Sequence, residues 1–188
     1  MRLGITALRT VLGGIFFAHG AQKLFGWFGG PGLDGMAKGL ESMGLRPGKR
    51  NALIAGTSEA AGGAMLATGF LTPLGSAAVI GVMSQAIRSV HWEKGFFVMN
   101  GGYEYNLALV AAAFAVTDTG PGPWSLDRAL GTERSGPFWA LAALGAGLAG
   151  PKLLERAAPP EPQPAAEQEP ERFVRDAVSA STPARQTA

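Results

Sequence analysis

The chain has 188 residues, a formal net charge of +2 and no cysteine. The length suits one domain, the near-neutral charge argues against a nucleic-acid partner, and the missing cysteines exclude disulfides, a thiolate nucleophile and thiolate-ligated metal. Mean hydropathy is only +0.15, but that value averages two unlike parts. Residues 1–156 are dominated by Ala, Gly, Leu, Val and Phe, whereas 157–188 are rich in Pro, Glu and Ala. The latter stretch cannot bury enough apolar surface to offset its ordering entropy, and it is expected to be a disordered tail.

A membrane span takes about 20 mainly apolar residues to cross a hydrocarbon layer of about 30 Å. Five stretches read this way. The first, 4–28, contains Arg9, His19, Gln22 and Lys23. Arg9 breaks the apolar run and no small-residue cleavage site follows, so a retained span is expected rather than a removed leader. At about 100° per residue, these four side chains fall within an arc of roughly 140°, a single stripe turned toward a bundle interior. The connector 29–50 repeats Leu33, Met36, Leu40 and Met43 at helical spacing between Pro31 and Pro47. That pattern predicts a short amphipathic helix lying in the membrane interface.

The second span, 51–70, carries one ionisable residue, Glu59, and the third, 71–90, has none before Arg88. The fourth runs from Glu104 to Thr117. It is short for a crossing at about 1.5 Å per residue, so its start is expected to reach back into GFFVMNGGYEY. The fifth, 136–154, is rich in Ala and Gly. Gly56, Ala60 and Ala64 in the second span, and Gly145 and Ala149 in the last, put small residues four apart, a spacing that lets helices approach closely in lipid. The fold class is therefore all-α: a transmembrane helical bundle of four core helices over 1–130, a fifth transmembrane helix within 131–156, and the tail 157–188. Lys38, Arg46, Lys49, Arg50, Arg88, Lys94, Lys152 and Arg156 flank the spans on one side, against Arg2, Arg128 and Arg134 on the other. This bias predicts a cytoplasmic tail and an N-terminus outside.

Ionisable groups within a span are costly and usually face a bundle interior or a watery cavity. With alternating spans, Lys23 lies near the end of the first and Glu59 about nine residues into the second, about 13 Å deep. Arg88 and His91 end the third, and Tyr103, Glu104 and Asn106 begin the fourth. All fall in one half of the bilayer. The candidate pocket is thus His19, Gln22, Lys23, Glu59, Arg88, His91, Tyr103, Glu104 and Asn106, with Glu59 or Glu104 expected opposite Lys23. A simpler reading has Lys23 snorkelling to the interface, with Trp27 and Phe28 as an aromatic belt. No residue is assigned a catalytic role. His19 and His91 could supply two haem imidazoles, or join Glu59 and Glu104 around a divalent metal, but neither is favoured and no metal ligand is assigned. Phosphate loops, dinucleotide fingerprints, zinc-protease motifs and nucleophile elbows are absent from the sequence.

Four segments, HGAQKLFGWFGG at 19–30, SEAAGGAMLATGFLTP at 58–73, HWEKGFF with NGGYEYN in 91–106, and GPGPWSLDRAL at 120–130, together resemble the DoxX family of small bacterial membrane proteins. The resemblance covers about residues 5–130. It implies a four-helix membrane protein to which the fifth segment and the tail are additions, located in the bacterial inner membrane as a multi-pass protein. It also implies quinone-linked redox: the family name comes from a subunit of a terminal quinol oxidase, and relatives are linked to thiosulfate:quinone oxidoreduction, quinone or catechol resistance and oxidative-stress complexes. The expectation is a subunit or anchor of an oxidoreductase or oxidative-stress assembly, with quinone as the ligand. Its partners would be the lipid bilayer, oxidoreductase subunits and further copies of the same chain. Two alternatives remain open, a transporter of small solutes or protons and a structural scaffold without ligand, and so does the question of whether the chain is an enzyme.

Overall fold

The chain is described by a computed structural model over residues 3–156; the tail assigned to 157–188 lies outside the described residues. Among the described residues seven α-helices form in order: α1 Leu3–Phe25, α2 Gly32–Ser42, α3 Gly48–Thr68, α4 Thr72–Ala86, α5 Glu104–Thr119, α6 Leu126–Ala129 and α7 Pro137–Arg156. The fold is all-helical, with no strand among the described residues. Each of the five apolar stretches forms a helix, and the connector segment around Leu33 to Leu40 forms another. α1 and α7 are each long and apolar enough to cross a membrane.

Helix ends follow local chemistry. α3 stops at Gly69, which takes a left-handed φ of 65°. Gly69 and Phe70 donate their N–H groups to the carbonyls of Leu66 and Met65, a pairing that satisfies carbonyls left over at a helix end. Pro73 sits in the first turn of α4, where its missing N–H costs nothing. The result is a tight antiparallel α3–α4 hairpin. Past Ala86, α4 continues into a π-helical turn, Ile87–His91.

The start of α5 corrects the sequence reading: the helix does not reach back into GFFVMNGGYEY. Gly95 and Gly101 both take φ of 79°, and the N–H groups of Tyr103 and Glu104 bond to the carbonyls of Gly95 and Phe96. The segment closes on itself instead, and α5 keeps only 16 residues.

α1 and α3 run antiparallel with their backbones in contact. A Cβ placed at Gly63 would lie 2.6 Å from the Gly13 carbonyl oxygen, and one at Gly20 would lie 2.7 Å from the Ala60 Cα. Only hydrogen side chains permit that approach. α5 runs antiparallel to α4, joined by Ser76 Oγ donating to the Ala113 carbonyl at 3.0 Å and by Thr117 Oγ1 donating to Ser76 Oγ at 2.7 Å. α7 runs parallel to α4: a Cβ at Gly147 would lie 2.6 Å from Ile80 Cγ2, and further on Gln85 donates to Glu155 at 3.0 Å. The core between them holds Leu12 and Phe16 of α1, Leu66 of α3, Val79, Ile80 and Met83 of α4, and Ala113 and Val116 of α5. Leu33, Met36 and Leu40 of α2 pack with Ala37 and Ala52 in a second cluster, while Met43 is exposed. These directions gather the α1–α3 and α4–α5 connectors and the last turn of α7 at one end. The α3–α4 turn and residues 120–136 lie at the other.

The glycine seam makes two substitutions diverge. Gly63→Val forces a side chain into the α1 backbone and should destabilise by about 3 kcal/mol or more, the upper range for overpacking. Gly145→Ala faces open space and should stabilise by about 0.5–1 kcal/mol through helix propensity. Thermal unfolding of both variants in one detergent checks the opposite signs.

Candidate functional site

Glu59 sits on the α3 face that carries Gly56 and Gly63, and Lys23 lies one turn beyond Gly20 on α1. Because Gly20 abuts Ala60, the seam delivers the two charges to each other, and Lys23 Nζ forms an ion pair with Glu59 Oε2. The Glu59 side chain is 4% exposed and that of Lys23 20%. A carboxylate that deep is tolerated only when paired, while the ammonium keeps an edge toward the outside of the bundle. His19 lies on α1 one turn before Lys23, is exposed and is within electrostatic reach of Glu59. Gln22 turns toward the end of α1, with Nε2 3.5 Å from the Phe28 carbonyl.

The remaining candidates find other partners. Arg88 donates to Gln85 Oε1 at 3.1 Å and to the Leu148 carbonyl of α7 at 3.4 Å. His91 places Nδ1 2.6 Å from the Gly101 carbonyl, Tyr103 stacks on Trp92 with ring centres 5.5 Å apart, and Glu104 Oε1 accepts the Val98 N–H at 2.8 Å. Asn106 is buried and donates to Met83 Sδ at 3.4 Å. The nine residues thus do not share one pocket: Lys23 pairs with Glu59 near His19, Gln22 faces Phe28, Arg88 lies against α7, His91, Tyr103 and Glu104 engage the α4–α5 connector, and Asn106 meets Met83 of α4. Lys23 takes Glu59, not Glu104, because Glu104 is engaged by its own loop.

Sequence reasoning missed a second polar cluster at the opposite end. Arg9 is 2% exposed. Its Nε donates to the Pro121 carbonyl at 2.7 Å, Nη1 to the carbonyls of Leu66 and Ala67, and Nη2 to that of Trp124. The guanidinium thereby satisfies carbonyls at the last turn of α3. Asp127 is 1% exposed and accepts the N–H groups of Leu71 and Thr72 at 2.8 and 2.9 Å and the Thr72 hydroxyl at 2.7 Å. It caps the first turn of α4 from outside the helix. Arg9 was legible as part of the inward stripe. The capping role of Asp127 had no local signal, since its α4 partners lie 55 and 56 residues away.

The family model described as DoxX matches residues 4–92, which span α1 to α4 and both members of the Lys23–Glu59 pair. No curated protein and no solved structure matches the chain.

Lys23→Met strands the buried carboxylate and should cost about 3–5 kcal/mol, whereas adding Glu59→Gln removes the uncompensated charge and should recover most of that loss. Asp127→Ala opens the α4 cap and should cost about 1–3 kcal/mol. Denaturation midpoints of the two single variants, the Lys23→Met/Glu59→Gln double variant and wild type decide both. Equal destabilisation by the single Lys23 variant and the double one would refute the pairing energetics.

Proposed function

We propose, from the DoxX family match over residues 4–92, that the chain is a DoxX-type membrane protein, the membrane subunit of a quinone-linked oxidoreductase assembly with a head-group site at His19, Lys23 and Glu59. The observation that carries this reading is the Lys23–Glu59 pair itself. A buried carboxylate holds an ammonium at the edge of the bundle, and an exposed imidazole sits one turn away on the same helix.

These residues suit a quinone ring. The Lys23 ammonium has donors beyond the one facing Glu59, and His19 can donate to or accept from a ring oxygen. Glu59 fixes the position of Lys23 and balances its charge. Reduction of a quinone takes up protons, and an imidazole beside Lys23 is a side chain suited to pass them on. When bound, the quinone supplies the two-electron carrier, and a partner subunit supplies or takes up the electrons.

The same reading makes the chain a multi-pass protein of the bacterial inner membrane, with α1, α3, α4, α5 and α7 crossing and α2 lying at the interface. Its N-terminus is outside and its tail in the cytoplasm. The four tryptophans support the crossing arrangement. Trp27 and Trp92 lie beyond the last turns of α1 and α4 at one end, and Trp124 and Trp139 lie in the connector and first turn at the other. Two aromatic levels separated by apolar helices are the pattern of a protein with a belt at each membrane interface.

The test uses the full chain in phospholipid nanodiscs and a short-chain ubiquinone as probe. The Lys23→Met/Glu59→Gln variant should bind it about tenfold or more weakly, the loss of one charge-assisted hydrogen bond. Unchanged affinity in a folded double variant would overturn the site.

A further inference from the structure

The α4–α5 connector, residues 92–103, is built the opposite way from a loop that faces water. Much of its backbone bonds to itself, and its large apolar side chains are bare. The N–H groups of Gly95 and residues 100–104 all bond to carbonyls within the loop, the Val98 N–H bonds to Glu104 Oε1, and the Gly101 carbonyl meets His91 Nδ1. Meanwhile Trp92 and Phe97 are 63% exposed and Met99, at the tip, is 91% exposed. A loop solvated by water has no need to close its own backbone bonds, and it gains by turning such side chains inward. Each bond closed within the loop lowers the cost of leaving water.

The side chains are also ordered as a group. Trp92 stacks on Tyr103 at an interplanar angle of 15°, and Phe96 packs edge-on against Tyr103 and against Phe97. Charged Glu93 and Lys94 precede the apolar residues 96–99 in the chain. A second exposed aromatic set, Phe25 at the end of α1 with Trp27 and Phe28 just beyond it, lies at the same end of the helices. Aromatic rings of this kind, with an apolar body and a flanking charge, concentrate at the boundary between head groups and acyl chains.

We propose that residues 92–103 form a preformed wedge that inserts its apolar tip, residues 96–99, into the head-group–acyl boundary of the bilayer, rather than projecting into the aqueous phase. The occupant is lipid, because the exposed rings of this loop and those of Phe25, Trp27 and Phe28 lie at one end of the apolar helices, as in an interfacial aromatic belt. This inference stands on the membrane location alone and is independent of the quinone site.

The chain has no native cysteine, so a single reporter is clean. Met99→Cys, at a side chain with almost no contacts to lose, carries a nitroxide in full-length protein reconstituted into phosphatidylcholine vesicles. Lys38→Cys, on the exposed face of α2, serves as the aqueous reference. The ratio of collision with oxygen to collision with a water-soluble nickel chelate should be several-fold higher at 99 than at 38. A ratio equal to the reference would place the tip in water and overturn the proposal. Shielding from both agents would also overturn it, by showing that protein covers the tip.

Discussion

The contact on which the rest depends is backbone against backbone between α1 and α3. Gly13 lies on Gly63 and Gly20 on Ala60, and no larger residue fits at the glycines. In lipid the apolar faces of two helices gain nothing by hiding from water, so dispersion contacts at short range and polar contacts between helices must supply the association. The seam provides the first and sets the register for the second. Lys23 reaches Glu59 at one end, and Arg9 reaches the Leu66 and Ala67 carbonyls at the other. The two clamps lie about 20 Å apart along α1. A shift of one residue in the seam would break both.

Those clamps differ in kind. Arg9 spends its donors on backbone carbonyls of α3 and of the segment before α6, and Asp127 spends its oxygens on the start of α4 and on Thr132. Together they fix the α3–α4 hairpin and leave no donor or acceptor turned outward for a ligand. Lys23 and Glu59 are bound to each other, with the ammonium at the bundle's edge beside an exposed histidine. A buried ion pair adds little stability over apolar residues of the same volume. The Arg9–Asp127 end thus reads as architecture, and the Lys23–Glu59 end is where the proposed ligand site lies.

The helices were legible because hydropathy and small-residue spacing are local properties. Apolar runs bounded by Gly69, Pro73 and Pro137 mark their own ends, and the 3- and 4-residue spacing of Leu33, Met36 and Leu40 marks α2. The Lys23–Glu59 pairing was legible for a related reason: alternating helices put both residues at one depth, and few other charges compete. What stayed hidden depends on tertiary closure. The α4–α5 connector looks helical by hydropathy, yet Gly95 and Gly101 in left-handed territory let it bond to itself, and that closure takes Glu104 out of reach of Lys23. Asp127 sits in an ordinary polar turn by sequence, and nothing in its neighbours shows that it caps a helix that begins 55 residues earlier.

The central claim is that Lys23 and Glu59 touch inside the membrane-embedded protein. Among the described ion pairs it is the one that joins a lysine to a glutamate, the others being Lys49 with Asp34 and Arg128 with Glu133. Lysine labelled with nitrogen-15 at Nζ and glutamate labelled with carbon-13 at Cδ therefore report it selectively. Solid-state dipolar dephasing in lipid bilayers should show one strongly coupled carboxylate that vanishes in the Glu59→Gln variant. A spectrum without such a coupling would contradict the pair, and with it the register that the glycine seam is held to impose.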